Sequence, residues 1–154
     1  MRSLAILAVV VSFAGASAQA AEKNPKSIDL KTLPPAVQAT VQANLNSAEI
    51  KNIDKEKEDG TEQYEIETIL NGHARDFNVD TKGRLLVIEE ATTLDALPAA
   101  AKAGILKKVA AGKVTMVETF VKTGQPTMYE AAYTDKSGKK HEVLVKADGA
   151  ATKE

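Results

Sequence analysis

The strongest constraint in this sequence is that one part of it occurs twice in similar form. Leu33-Pro34 recurs 64 residues later as Leu97-Pro98, and Tyr64-Glu65 recurs 65 residues later as Tyr129-Glu130. Further downstream, turn glycines and strand residues recur at an offset of 66. A slowly growing offset is expected when two copies of one supersecondary unit have gained a residue or two in their loops. The sequence therefore predicts an internally repeated architecture.

The first twenty residues have the pattern of an export signal. Arg2 supplies a positive start, Leu4 to Phe13 form an apolar run, and Ala18-Gln19-Ala20 is an A-x-A cleavage site. The apolar run is too short to cross a hydrocarbon core, which needs about 20 residues. We therefore expect a cleaved signal peptide over residues 1–20, no transmembrane span after cleavage, and a periplasmic or secreted protein.

Composition narrows the classes of function. The chain of 154 residues has no Cys, which removes disulfides, thiolate metal ligands and thiol catalysis. Its formal net charge is −1, so it has no basic excess with which to neutralise phosphates. This balance argues against a nucleic-acid partner, and stability must come from packing alone.

Each copy opens with a helix pattern. In the first copy Val37, Val41 and Leu45 recur at helical spacing after Pro34-Pro35. Proline is tolerated in the first turn, where its missing N–H has no intrahelical partner. In the second copy Pro98 precedes a stripe whose apolar members are Ala101, Ile105 and Val109. Gly104 inside that helix predicts a close approach of another backbone segment.

After each helix the apolar period changes to two, which is typical of strands. Asn71-Gly72 lies between two such runs and predicts a two-residue hairpin, because both central residues of a type I′ turn need positive φ. The strands expected in the first copy are residues 48–58, 61–70, 73–79 and 85–88. Those expected in the second copy are 114–121, 128–134 and 140–146, followed by a stub.

These patterns predict an α+β fold of two tandem helix-plus-antiparallel-strands repeats, with about three to four strands each and the helices packed on one face of the sheet. The expected organisation is a loose N-terminal arm over 21–27, a first repeat over 28–90 and a second over 91–154. Leu33 and Leu97 are expected to be buried beneath the helices. The other predicted core residues are Val37, Val41, Tyr64, Ile66, Phe77, Ile105, Val109, Tyr129 and Val143.

The order of these motifs resembles the PepSY family of exported domains, over most of residues 28–154. The residues that carry the resemblance are Leu33-Pro34, Tyr64-Glu65-Ile66-Glu67, Asp80-Thr81-Lys82-Gly83, Leu97-Pro98, Tyr129-Glu130-Ala131-Ala132 and Asp148-Gly149. The tandem arrangement is similar to the PepSY-like branch, whose two copies resemble the architecture of β-lactamase inhibitory protein. The resemblance implies a periplasmic or secreted binding module that restrains proteases or hydrolases, with no shared catalytic residues.

No catalytic or metal-binding set can be assembled from the motifs. His73 and His141 are the only histidines and occupy non-equivalent positions of the two copies, whereas a metal site needs several convergent ligands. Glu65 and Glu67 share one strand face at about 7 Å, a spacing open to a paired-carboxylate catalyst or to solvated surface groups. We favour surface groups for both pairs and expect no enzyme, no metal and no cofactor.

The remaining hypothesis is binding. Apolar residues concentrate in the second copy, and its short last strand predicts an open sheet edge that can pair with an extended segment. Phe120, Met128 and Tyr133 are the predicted partner-binding residues, and the partner is a protein or peptide of the cell envelope. The alternative is a small-ligand-binding or envelope-stress protein with a pocket between helix and sheet.

Overall fold

A computed structural model describes residues 27–58 and 60–153 of the chain. Within this part the protein forms one antiparallel sheet of eight strands, each paired with the next along the chain. The strands are β1 (Glu49–Glu58), β2 (Thr61–Leu70), β3 (His73–Asp80), β4 (Leu85–Ala91), β5 (Lys113–Lys122), β6 (Met128–Thr134), β7 (Lys140–Lys146) and β8 (Ala151–Thr152). The two α-helices are α1 (Pro35–Asn44) and α2 (Ala99–Val109).

The predicted fold class, two tandem helix-plus-strands repeats, is wrong. β4 pairs with β5 from Val87↔Lys122 to Ala91↔Glu118, so the ladder of backbone hydrogen bonds continues through the middle of the chain. The two halves therefore form one sheet rather than two units. Similar sequence motifs predicted similar local elements in the two halves. They carried no information about the pairing of β4 with β5 that joins the halves into one sheet.

Both helices begin where the prolines predicted. Pro34 directly precedes α1 and Pro98 directly precedes α2, and each follows a short 3-10 turn, Leu30–Thr32 or Leu94–Ala96. At the other end of α1, the buried Arg75 of β3 donates from its guanidinium to the carbonyl oxygen of Asn44 at 2.8 Å. A cation at a helix C-terminus satisfies a free carbonyl and complements the helix dipole.

The hairpin predicted at Asn71-Gly72 is confirmed. Asn71 has φ of 52° and Gly72 has φ of 86°, the positive values that a type I′ turn needs at both central positions. β2 and β3 pair directly across this turn, with Leu70 opposite His73. This turn therefore determines the register that places β2 side chains against those of β3.

The core lies between the helices and one face of the sheet. Leu33 and Leu97 are both buried, as expected from the sequence. Of the other predicted core residues, all are buried except Tyr129, which is partly buried against the cluster beneath α2. The residues buried beneath α1 are Leu33, Val37, Val41, Ile53, Tyr64, Ile66, Phe77 and Val79. Those buried beneath α2 are Leu97, Ala101, Ile105, Val109, Val117, Ala131, Val143 and Val145.

The close approach predicted at Gly104 is present. A Cβ atom at Gly104 would overlap the backbone of Gly149, in the turn between β7 and β8. The helix therefore packs with its own backbone against this turn, which fixes the position of α2 over the end of the sheet.

Replacing Phe77 tests the assignment of the core face. Phe77 is fully buried beneath α1, so Phe77→Ala should lower the free energy of unfolding by about 3–5 kcal/mol through lost burial and the cavity it leaves. Thermal or urea unfolding measures the loss, and Phe77→Leu should cost less because it keeps more of the volume. An unchanged melting temperature in Phe77→Ala would contradict this packing.

Gly104→Ala separates helix propensity from packing. Propensity alone would stabilise α2 by about 1 kcal/mol, but overlap with Gly149 should give a net loss of about 1 kcal/mol or more. The matched control is Ala103→Gly, because Ala103 is exposed on the same helix. Its free energy of unfolding should fall by about 1 kcal/mol through helix propensity alone. A higher melting temperature for Gly104→Ala would show that the helix does not rest on the turn.

Candidate functional site

The face of the sheet opposite the helices forms the candidate site, and we call it the helix-free face. Because side chains alternate along each strand, the register places one set on this face from β1 to β7. Its central side chains are Asp54 and Glu56 of β1, Glu65 and Glu67 of β2, Asp76 and Asn78 of β3, Val87 and Glu89 of β4, Glu118 and Phe120 of β5, Met128 and Glu130 of β6, and Glu142 and Leu144 of β7.

Several of these side chains are buried although neither helix covers them. Phe120 is 4% exposed and Glu118 is 8% exposed. Phe120, Met128 and Leu144 form a separate apolar cluster, with Val87 packed against it. These side chains lose contact with water by packing against their neighbours across the strands. The side chains of the helix-free face therefore shield one another from water, and its charged groups lie close together.

Carboxylates lie directly opposite one another across the strands. Asp54 faces Glu65, Asp76 faces Glu89, and Glu118 faces Glu130. Like charges in directly opposed positions destabilise a sheet. Three such pairs on one face lower the stability of the sheet, so selection for stability does not explain them. Residues that destabilise their own local structure are characteristic of functional surfaces.

The strongest electrostatic consequence falls on Glu89, at the centre of the face. Burial raises the pKa of Glu89 to about 9, and the nearby carboxylates of Glu118 and Glu130 raise it further. A carboxyl group with this pKa holds its proton at neutral pH. Because Glu89 is then neutral, the repulsion between the carboxyl groups at the centre of the sheet is reduced.

The neighbouring carboxyl groups shift in the same direction. Burial, followed by nearby carboxylates, raises the pKa of Glu65 and of Glu118 to about 7. Burial also raises the pKa of Asp76 to about 6, although the backbone N–H of Thr68 donates to its Oδ1 at 2.8 Å and acts in the opposite direction. Near neutral pH, small changes in environment therefore alter the charge of this face.

Neutral side-chain amides donate some of the hydrogen bonds that the carboxylates of this face accept. Gln63 Nε2 donates to Glu56 at 2.8 Å and to Glu58 at 2.9 Å. The lysines of this face include Lys113 and Lys122 of β5 and Lys140 and Lys146 of β7. Within residues 27–58 and 60–153, no basic side chain makes an ion pair with the four carboxyl groups whose pKa is raised. The face therefore keeps an excess of negative potential.

A shallow depression opens on the same face where β4 and β5 meet. Its volume is about 350 Å³ and its walls include Val87, Glu89, Phe120 and Lys122. It combines an apolar floor with groups of both charges. This arrangement suits a side chain of a partner that carries an apolar stem and a polar end.

The predicted partner-binding residues do not all share this face. Phe120 and Met128 are directly opposed on the helix-free face. Tyr133 lies on the helix side, where its ring stacks on that of His141 with centroids 5.2 Å apart. Alternation along β6 already puts Met128 and Tyr133 on opposite faces of the sheet, but which of them shares the face of Phe120 depends on a strand register that only the structure provides.

The histidines and the Glu65–Glu67 pair also have defined positions. His73 is exposed at the β2–β3 hairpin, and His141 Nε2 lies 2.8 Å from Asp135 Oδ2. Across the part of the chain that the structure describes, no three His, Asp or Glu side chains converge to hold a metal ion. Glu65 and Glu67 belong to the carboxylate array of the helix-free face.

Sequence reasoning missed Asp76, Glu89 and Glu118 as members of the site. Asp76 sits in an ordinary alternation of polar and apolar residues, Glu89 follows the apolar run 85–88, and Glu118 lies between Val117 and Thr119, so none of the three stands out in the sequence. The only signal was the frequency of acidic residues at one phase of several strands. Combining them required the pairing of β3 with β4 and of β4 with β5.

Comparison with known proteins gives a fold. No family model matches the chain, and no curated protein matches it. A protein predicted to be periplasmic, from Bacteroides eggerthii, superposes with a TM-score of 0.65 at 16% identity over 79% of this chain and 86% of that one. A DUF2874 family protein of Bacteroides ovatus gives 0.63 at 17% identity, again over 79% and 86%.

A BLIP-like protein of Bacteroides fragilis gives a TM-score of 0.59 at 18% identity, over 79% of this chain and 84% of that chain. The chain thus has the fold of DUF2874 and BLIP-like (β-lactamase inhibitor-like) proteins. The narrower PepSY resemblance stays a prediction.

The predicted signal peptide and residues 21–26 of the predicted arm lie outside the described residues, and Ser27 Oγ accepts a hydrogen bond from the Ile53 N–H. None of the described helices is both long and apolar enough to cross a bilayer.

The raised pKa of Glu89 predicts the pH dependence of stability. Between its usual pKa of 4.5 and about 9, the folded state binds a proton that the unfolded state has lost. The free energy of unfolding should therefore fall as pH rises through this window, and Glu89→Gln should raise the melting temperature most near pH 9 and change it little at or below pH 4.5. The charged groups around Glu89 are Glu65, Asp76, Glu118, Lys122 and Glu130.

Glu90→Gln is the matched control, because Glu90 lies on the opposite face beside Arg75 at 3.8 Å. It should leave the pH dependence in place. A Glu89→Gln variant whose stability falls with pH as steeply as that of the wild type would contradict the assignment.

Proposed function

We propose that this protein is an exported, non-enzymatic binding module that acts in the periplasm by docking a protein partner on its helix-free face. The observation that carries the proposal is the composition of that face. It holds mutually repelling carboxylates beside the apolar cluster of Phe120, Met128 and Leu144, and neither helix covers it. A partner with complementary groups would relieve the repulsion and would bury Met116 of the same face, which is 45% exposed.

The fold similarity supports the same class. One structural neighbour is BLIP-like and another is predicted to be periplasmic, which fits an envelope protein that works through protein contact. On this basis we propose that the partner is an envelope protease or hydrolase whose activity the module restrains. The PepSY-like resemblance of the sequence points in the same direction.

The packing beneath the helices favours a protein partner over the alternative of a small ligand held between helix and sheet. Val37, Ile66 and Phe77 are fully buried and fill the space between α1 and the sheet. The depression at the β4–β5 junction lies instead on the helix-free face. Phe120 and Met128 thus remain the proposed contact residues, whereas Tyr133 is on the other side of the sheet.

Two exposed apolar residues offer a matched test. Met116 of β5 is 45% exposed and points to the helix-free face, opposite Ala132, whereas Leu106 of α2 is 44% exposed on the helix side. We expect Met116→Glu to abolish capture of the native partner from an envelope fraction, because it adds a charge to the docking surface. Leu106→Glu should capture it as the wild type does.

Thermal unfolding of both variants controls for stability, and both should melt close to the wild type because exposed substitutions change stability little. Equal capture by Met116→Glu and the wild type would contradict docking on the helix-free face.

A further inference from the structure

A row of hydrogen-bond acceptors crosses four strands of the helix-free face. The register brings Asn52 of β1 beside Glu67 of β2, and Asp76 of β3 beside Glu89 of β4, with Asp76 next to Glu67 across β2 and β3. At a strand spacing of about 4.8 Å, the row is roughly 15 Å long. It lies at right angles to the strands and ends at Phe120 and Met128.

Asn52 gives independent evidence for a ligand with hydrogen-bond donors. Its side chain is 3% exposed, and its Nδ2 donates to Asp54 at 2.6 Å and to Glu67 at 3.3 Å. Its Oδ1 is buried and accepts no hydrogen bond from any described residue. A buried acceptor without a donor is unfavourable, and the carboxylates around it cannot supply one.

The spacing of the acceptors favours a ligand that carries several cationic groups over a single metal ion. A divalent cation needs oxygens that converge on one point at about 2.0–2.6 Å. Among the described residues no three carboxylates do so. The acceptors follow one another along a line, which fits several donors carried on one extended backbone.

We propose that the partner contributes an extended segment bearing Lys or Arg side chains, which lies across β1 to β4 with its cations against Glu67, Asp76 and Glu89 and an N–H donor at Asn52 Oδ1. This proposal rests on the proposed function and specifies the chemistry of the partner. Charge complementarity selects the occupant, because the carboxylates of the row make no ion pair with any basic side chain in residues 27–58 and 60–153. Beyond Glu89 the segment meets the apolar cluster, so apolar side chains follow the basic ones.

A synthetic peptide alternating Lys and Thr tests the proposal with the mature protein. Its attraction to the row does not depend on a particular sequence, so it should shift the backbone amide signals of Asn52, Glu67, Asp76 and Glu89 in an NMR titration at low ionic strength. Binding should weaken as ionic strength rises from about 0.01 M to about 0.15 M, where exposed charges are screened. The matched peptide alternating Glu and Thr should not bind.

The double variant Glu67→Gln with Asp76→Asn removes two charges and keeps the size of both side chains and one acceptor oxygen on each. Its affinity for the Lys–Thr peptide should fall about tenfold or more, since each charge-assisted hydrogen bond contributes at least that factor. Glu62→Gln is the matched control, because Glu62 lies on the helix side and pairs with Lys55 at 3.1 Å. A melting curve verifies that the double variant is folded.

Proton release provides a second readout that apolar docking would not produce. Cations placed against carboxylates lower their pKa. Burial raises the pKa of Glu89, in the row, to about 9, and it raises the pKa of Glu65 and Glu118, which lie beside the row, to about 7. Peptide binding should therefore release protons, measured by calorimetry in two buffers of different ionisation enthalpy. The charged groups that face these carboxylates are Asp54, Glu56, Glu67, Arg75, Asp76, Glu89, Lys122, Glu130, Glu142 and Lys146.

The possible results separate this inference from the proposed function. Equal binding of both peptides, equal binding by the double variant, no proton release, or the same amide shifts with Ca²⁺ alone would overturn the cationic segment. If native partner capture is lost in Met116→Glu but unchanged in the double variant, the helix-free face binds a partner that is not basic. If capture survives in both, docking on this face is itself wrong.

Discussion

Pairing between β4 and β5 is the interaction on which the rest of the structure depends. It joins the strands that follow α1 to those that follow α2, and so places both helices on one side of a single sheet. Two of the three buried apolar clusters then lie beneath the helices, and the carboxylates of β1 to β7 that point the other way are left together beside the third. Without this pairing, Glu89 would not lie beside Phe120, and the carboxylate array would be divided in two.

The two faces of the sheet have opposite roles in stability. Beneath the helices, fully buried residues such as Ile66, Phe77 and Ile105 provide the hydrophobic burial that holds a chain without disulfides. On the helix-free face, opposed carboxylates oppose folding as soon as they ionise. Such a face lowers the free energy of unfolding of the protein alone, and binding of a partner there can raise it again. A loss of stability at a functional surface is a common trade-off between activity and stability.

Local structure was largely predictable from the sequence, whereas the site was not. The prolines before α1 and α2 marked the helix starts, and Asn71-Gly72 marked a hairpin, because these residues act through their own backbone geometry. The continuity of the sheet depends on pairing between residues far apart in sequence, and the repeat pattern pointed toward two units instead. Which side of β5 or β6 carries Phe120 or Tyr133 likewise follows from register, which short motifs do not encode.

Site-directed photo-crosslinking in the native envelope tests the central claim most directly, because it reports which face the partner contacts. A photoreactive amino acid replaces Met116 on the helix-free face or Leu106 on α2, two positions of nearly equal exposure. The account predicts one defined covalent adduct from the position of Met116 and none from that of Leu106. An adduct formed only from the helix side, or equally from both, would contradict it.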